Sequence, residues 1–164
     1  MNVTATIRSA ALLVLLSGPT FAQDADPNNQ LVEGYMACMS GGGEVAATEA
    51  MLSALFWTRS DEGEDGLVYF NPGVGEDTVV YMADDGSFCH VESLTVGSAN
   101  ASEILAASLG GPEGAPFDYS KDAAGCTRLE FETGVSATIT SGGNDPTCAS
   151  DSDSGVRFEP TPTE

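Results

Sequence analysis

Basic residues are scarce in this chain of 164 residues. It contains five lysine and arginine residues, one histidine and 25 acidic residues, which give a formal net charge of −20. Nucleic-acid binding requires lysine and arginine side chains that neutralise phosphates, and anionic membrane surfaces repel an acidic chain. The composition therefore argues against nucleic acid as a partner. It favours a basic protein or a cation, unless the acidity serves only to keep the protein soluble.

Long hydrophobic runs are also missing. The apolar run at residues 10–16 follows Arg8, precedes Gly18-Pro19 and the small residue Ala22, and is far shorter than the roughly 20 residues of a membrane span. This arrangement is typical of a secretory signal peptide, which we expect to comprise residues 1–22. The residue directly after the expected cleavage point is Gln23 and not a cysteine, so no lipid anchor is predicted. The mature protein would then have a net charge of −21 and be periplasmic or secreted.

Sequence motifs of common enzymes are absent. The chain has no G-x-S-x-G nucleophile elbow and no phosphate-binding P-loop. His90 is the only imidazole, so a hydrolase triad would depend on it. We interpret it as a surface or strand-edge histidine that pairs with Glu92, while its neighbour Cys89 faces the opposite side of the strand. Carboxylate pairs are too numerous in this chain for any one of them to indicate a glycosidase.

Four cysteines follow the expected cleavage point. An even number of cysteines in an exported chain predicts two disulfides, and no C-x-x-C pair suggests a zinc site. Of the three connectivities we favour Cys126–Cys148, because these residues bracket a predicted hairpin. Cys38–Cys89 would then join an N-terminal helix to a strand.

The hydrophobic pattern predicts an α+β fold with an N-terminal helical hairpin followed by an antiparallel sheet of hairpins. Asp26-Pro27 is a typical helix start, and Gly41-Gly42-Gly43 separates the first helix from a second at residues 44–56. A third helix is predicted at residues 100–109. Strands are expected near residues 57–60, 66–70, 78–83, 87–94, 117–119, 126–132, 135–141 and 155–158. One compact domain would span residues 23–160, with a frayed tail at residues 161–164.

The order of these elements suggests a tandem duplication of a helix-plus-four-strand unit, with sub-units at residues 44–94 and 100–158. Two similar strand layouts could also coincide, because few residues match between the units. This layout, in an acidic exported chain with two disulfides, resembles the architecture of the β-lactamase-inhibitor proteins. The resemblance concerns element order alone, and the chain lacks room for their longer helical hairpins in both halves.

Calcium is the candidate cofactor. Asp61, Glu62, Glu64 and Asp65 place four carboxylates in a six-residue turn, which is the type of oxygen-rich segment that Ca²⁺ prefers. The turn does not match an EF-hand, since position twelve is Pro72. The segment at residues 151–155 also begins like a calcium loop, but its glycine comes one position early. Both segments are also explained as solvated hairpin turns.

These observations favour an exported, acidic, non-catalytic protein that acts as a binding or interaction module of the periplasm or extracellular space. The alternatives are a small secreted hydrolase and a calcium-stabilised structural domain. Trp57, the only tryptophan, is expected to be either a core anchor or an exposed binding residue.

Overall fold

A computed structural model describes residues 26–60, 66–109, 118–143 and 146–161 of the chain. The helices are α1 (Pro27–Gly41), α2 (Val45–Ala54) and α3 (Ser98–Leu109). The strands are β1 (Thr58–Ser60), β2 (Leu67–Asn71), β3 (Thr78–Ala83), β4 (Cys89–Ser93), β5 (Asp118–Lys121), β6 (Thr127–Glu130), β7 (Val135–Thr140) and β8 (Ser154–Pro160). The predicted α+β fold is confirmed, whereas the expected signal peptide lies outside the described residues.

The two N-terminal helices form the predicted hairpin. The Asp26 carboxylate accepts a hydrogen bond of 2.9 Å from the backbone N–H of Asn28, and Pro27 occupies the first turn, where its missing N–H costs nothing. Gly42 ends α1 in the left-handed conformation, which only glycine adopts without steric cost. The chain then reverses into α2, so both helices can pack on the same side of the sheet.

All eight strands form one antiparallel sheet, in the order β1-β2-β3-β4-β8-β7-β6-β5. Each half of the sheet is a four-stranded meander that follows one helix along the chain, α2 in the first half and α3 in the second. The halves join where β4 pairs with β8, with Val91 opposite Val156. The predicted layout of two helix-plus-four-strand units is therefore present, and its halves share one sheet.

The helices cover one face of this sheet and form the core with it. Leu31, Tyr35, Leu52 and Leu105 are fully buried against strand residues that alternate along each strand. Gly34 brings α1 close to the sheet, because a Cβ atom there would lie 2.8 Å from a methyl group of Val91. The core is completed by Phe70, Val80, Met82, Leu129, Ala137, Ile139, Val156 and Phe158.

Both predicted disulfides are present. Cys38–Cys89 ties α1 to β4, and Cys126–Cys148 ties the start of β6 to the segment before β8. Two disulfides are typical of proteins that fold in an oxidising compartment outside the cytoplasm. No helix in the described ranges has the length and apolar character required to span a membrane.

The second helix differs from the prediction, because it ends at Ala54 instead of residue 56. Phe56 adopts a positive φ of 66°, and its N–H and that of Trp57 donate to the carbonyls of Ser53 and Leu52. These two bonds form a Schellman motif that closes the helix. Trp57 is then buried, with its indole N–H donating to Glu33 at 2.7 Å, so it is a core anchor.

Candidate functional site

One face of the sheet lies opposite the helices, and we call it the open face. Side chains alternate along each strand, so residues that do not face the helices point to this side. Strand register aligns one of them from each strand into a continuous line that runs across the whole sheet. We call this line the central row; it consists of Ser60, Tyr69, Tyr81, His90, Arg157, Thr138, Arg128 and Ser120.

Aromatic rings occupy one half of the central row. The ring centroids of Tyr69 and Tyr81 are 5.6 Å apart, and the Tyr81 ring stacks on His90 at 4.6 Å. Phe88 lies just before β4, contacts Tyr81 edge-on at 6.3 Å, and carries the guanidinium of Arg157 4.0 Å above its ring. These contacts combine large apolar area with cation–π attraction, which together hold the rings in fixed orientations.

Two arginines occupy the other half of the central row, on either side of Thr138. The Nε group of Arg157 lies 2.7 Å from a carboxylate oxygen of Glu159, and that of Arg128 lies 3.6 Å from Glu130. Each glutamate is two residues further along the same strand, so it shares the open face with its arginine. The repeated pair positions both guanidinium groups in the same way on β6 and β8.

A cavity of about 400 Å³ opens between these side chains. Tyr81 and His90 line it from β3 and β4, and Arg157, Thr138 and Arg128 line it from the other half of the sheet. The same cavity is bordered by Asp122, Thr140, Gly143, Pro146 and Glu159. Its volume falls within the range of about 300–1,000 Å³ that small-molecule sites occupy.

His90 contributes an uncharged ring to this cavity. Burial and, to a smaller extent, the positive charge of Arg157 together lower the pKa of His90 to about 4. The interpretation of His90 as a strand-edge residue paired with Glu92 is wrong. The sheet places β4 at its centre, and the imidazole stacks on Tyr81 and lies over Gly155. Cys89 faces the opposite side of the strand, as predicted.

Gly143 lines the cavity, and Glu92 holds the loop to which it belongs. The Glu92 carboxylate accepts a hydrogen bond of 2.9 Å from the backbone N–H of Gly143. A Cβ atom at Gly142 would lie 2.9 Å from the same carboxylate, so glycine permits this close approach. Burial and the negative charge of Glu92 together raise the pKa of Tyr81 to about 12. Tyr81 is therefore an uncharged phenol at neutral pH.

The calcium candidates have two different outcomes. Asp61, Glu62, Glu64 and Asp65 lie outside the described residues. In the other segment, Asp153 accepts hydrogen bonds from the Gly142 N–H at 2.7 Å and from the hydroxyls of Ser152 and Ser150, which lower the pKa of its carboxyl. Asp153 thus anchors the loop beside the cavity. Within the described ranges, no group of three or more acidic, histidine or cysteine side chains is arranged to hold a metal ion.

Neither a protein-family model, nor a curated protein, nor a solved structure matches this chain significantly. Functional proposals therefore rest on the geometry and charge of the open face.

Sequence reasoning missed the central row, although part of the signal was present. A basic residue, an apolar residue and a glutamate follow one another on β4, β6 and β8, as His90-Val91-Glu92, Arg128-Leu129-Glu130 and Arg157-Phe158-Glu159. Alternation places the basic and acidic members of each triplet on one face. The pairing of β4 with β8 is what brings His90 beside Arg157, and this long-range contact leaves no local mark in the sequence.

Proposed function

We propose that this chain is an exported, non-catalytic binding protein and that the open face of its sheet is the binding surface. The central row carries the proposal, because it lines up Tyr69, Tyr81, His90 and two arginines on a face that no described helix covers. Tyrosine and arginine dominate the energetically important centres of protein interfaces, where they offer large contact area and several hydrogen-bond donors.

A protein of basic net charge is the partner that fits this surface. Acidic side chains border the central row on both sides, with Glu92 on one side and Glu130 and Glu159 on the other. The chain as a whole carries a charge of −20. Complementary charge accelerates encounter with a basic partner and disfavours acidic proteins, while the aromatic rings supply the buried contact area.

The surroundings of His90 support a non-catalytic role over the hydrolase alternative. A general base works best when its pKa lies near the pH of the reaction, whereas burial holds the pKa of His90 at about 4. No hydroxyl or thiol in the described part of the chain forms a hydrogen bond with this imidazole, so it has no neighbouring nucleophile to activate there.

Partner capture with variants of the open face tests this proposal. The purified protein is immobilised and exposed to soluble envelope proteins at low and at high salt. We expect to capture a basic protein whose binding weakens as the salt concentration rises. Its affinity should fall about 30-fold when Tyr69 or Phe88 is replaced by alanine. Tyr119→Ala is the matched control, because Tyr119 is exposed but lies on the opposite face of the edge strand β5.

Two results would contradict the proposal. One is the absence of salt-sensitive capture at any ionic strength. The other is capture that responds to Tyr119→Ala as strongly as to Tyr69→Ala, since this would place the contact on the helical side of the sheet.

A further inference from the structure

The cavity on the open face combines opposite charges in one small volume. Arg128 and Arg157 line it together with the carboxylates of Asp122 and Glu159. Two arginines and two acids give these four side chains no net charge. A simple anion would be repelled by the two carboxylates, and a simple cation would be repelled by the two guanidinium groups. The arrangement therefore favours a ligand that presents both charges at once.

Hydrogen-bond donors are available on the two arginines. Arg157 donates through Nε to Glu159, and Arg128 has its Nε nearest to Glu130, so the glutamates engage the same side of each guanidinium. The terminal Nη groups form no hydrogen bond with any other described residue. Thr138 stands between the two arginines in the strand register, and its hydroxyl is likewise without a partner among the described residues. Arginine Nη groups and a hydroxyl form a suitable set for a planar carboxylate.

An acceptor is fixed where the turn after β5 borders the cavity. One carboxylate oxygen of Asp122 accepts backbone N–H groups of Ala124 at 2.9 Å and Cys126 at 2.8 Å. These two bonds orient the carboxylate and leave its second oxygen without a partner among the described residues. The Cys126–Cys148 disulfide holds this turn against the segment that contains Pro146. The geometry thus preforms an acceptor for an ammonium group.

We propose that this cavity binds a zwitterionic ligand of the amino-acid class, which carries a carboxylate and an ammonium group close together. The carboxylate binds between Arg128 and Arg157, and the ammonium group binds to Asp122. Such a ligand has no net charge, so the −20 charge of the chain does not repel it. The inference rests on the proposed function, because it names the chemistry that the centre of the binding surface recognises.

The single histidine provides a direct measurement of this binding. His90 lines the cavity, and its ring gives one set of NMR signals that no other histidine can obscure. The full protein is titrated at constant ionic strength with γ-aminobutyrate, with acetate and with butylammonium. We expect a saturable shift of the His90 signals with γ-aminobutyrate, and at least about tenfold weaker binding of acetate and butylammonium, because each of these lacks one ion pair.

Arginine variants test the assigned roles. Arg128→Gln and Arg157→Gln should each weaken the binding of γ-aminobutyrate at least about tenfold, since a charge-assisted bidentate bond is lost. Arg157→Lys keeps the charge without the planar fork, and should fall between the wild type and Arg157→Gln. Arg59→Gln is the matched control, because Arg59 forms its ion pair with Glu49 at 2.7 Å, away from the cavity.

Two outcomes would overturn the inference. The first is the absence of a saturable His90 shift with γ-aminobutyrate. The second is an equal response in the wild type and both glutamine variants while their unfolding curves coincide. If the His90 titration fails but partner capture succeeds, the inference is wrong and the proposed function stands. If the titration succeeds but no partner is captured, only the proposed function is refuted.

A blocked lysine–glutamate dipeptide distinguishes the source of the two charges. If it shifts the His90 signals as strongly as γ-aminobutyrate does, the charges are those of neighbouring side chains on a protein. If only free zwitterions bind, the ligand is a small molecule. Both results support the assignment of the cavity to paired opposite charges.

Discussion

Phe56 occupies a position where glycine is the usual residue. It follows the C-cap of α2 and has a φ of 66°, which brings the Cβ atom of a non-glycine residue close to its own backbone. Its ring is 71% exposed, so burial of the side chain offsets little of this cost. Both hydrogen bonds of its Schellman motif are present, and Trp57 and Leu52, which form one of them, are buried.

Phe56→Gly should therefore stabilise the protein. We expect the free energy of unfolding to rise by about 0.5–1 kcal/mol, since relief of the left-handed strain exceeds the greater entropy that glycine gives to the unfolded chain. Urea unfolding followed by Trp57 fluorescence measures this change. Leu94→Gly is the control at an exposed residue without positive φ, and it should destabilise. A loss of stability in Phe56→Gly would show that the exposed ring makes a larger contribution than the strain.

His90 should make stability depend on pH. Its folded pKa of about 4 lies below the 6.5 of an unfolded histidine, so the unfolded state binds more protons between these values. This contribution to the free energy of unfolding is complete above pH 6.5 and decreases as the pH falls. By pH 4 the loss amounts to about 3 kcal/mol. Tyr81 on β3 and Arg157 on β8 lie beside His90 in the strand register, and Glu92 shares its face two residues further along β4.

The difference between the wild type and His90→Gln isolates this effect from the titration of the many carboxyl groups. Urea unfolding at pH 7, 5.5 and 4 should show that the wild type loses more stability than the variant over this range. Parallel pH profiles for the two proteins would contradict the assignment of an uncharged, half-buried imidazole.

The two disulfides connect different parts of the fold. Cys38–Cys89 closes a separation of 51 residues and joins α1 to the centre of the sheet, where both sulfur atoms are buried. Cys126–Cys148 closes 22 residues and joins a turn to the loop that borders the cavity. The first disulfide therefore belongs to the core and the second to the binding site.

Paired cysteine-to-alanine variants should separate these contributions. Removal of Cys38–Cys89 should cost about 4 kcal/mol or more from lost loop constraint and core packing, and removal of Cys126–Cys148 about 3 kcal/mol. Only the second change should also weaken γ-aminobutyrate binding, because Asp122 and Pro146 lose their common anchor. Equal effects of both variants on binding, with both still folded, would argue against a local role for Cys126–Cys148.

Element types and approximate positions could be predicted from the sequence because their signals are local. The Asp26-Pro27 helix start, the glycines after α1 and the alternation in β3 each depend on neighbouring residues. The cysteine pairing followed from where these elements lie. The order of strands depends instead on contacts between distant segments, such as Val91 with Val156, so the binding face could not be predicted. The end of α2 was also missed, because Phe56 replaces the glycine that normally marks it.

At the scale of the whole molecule, the net negative charge destabilises the fold, and salt reduces this effect. A charge of −20 spread over one small fold repels itself, and salt shortens the range of this repulsion from about 30 Å at 0.01 M to about 8 Å at 0.15 M. The acidic residues that border the open face contribute to this repulsion as well as to partner binding.

Sodium chloride should therefore raise the unfolding temperature at pH 7. We expect a continuous rise as the concentration increases from about 0.01 M to 0.5 M, measured by calorimetry. The same titration near pH 4.1, the isoelectric point of the sequence, is the control and should be almost flat. A salt effect of equal size at both pH values would indicate ion binding instead of relief of repulsion.

The position of β8 determines when this protein can fold. It is the last described strand along the sequence, yet it lies in the middle of the sheet between β4 and β7. Until residues 154–160 are available, each half exposes an unpaired strand edge, and the core lacks Val156 and Phe158. A chain that is truncated before residue 154 would thus expose aggregation-prone edges instead of forming a smaller binding protein. We expect the sheet and its binding face to form only when residues 154–160 are present.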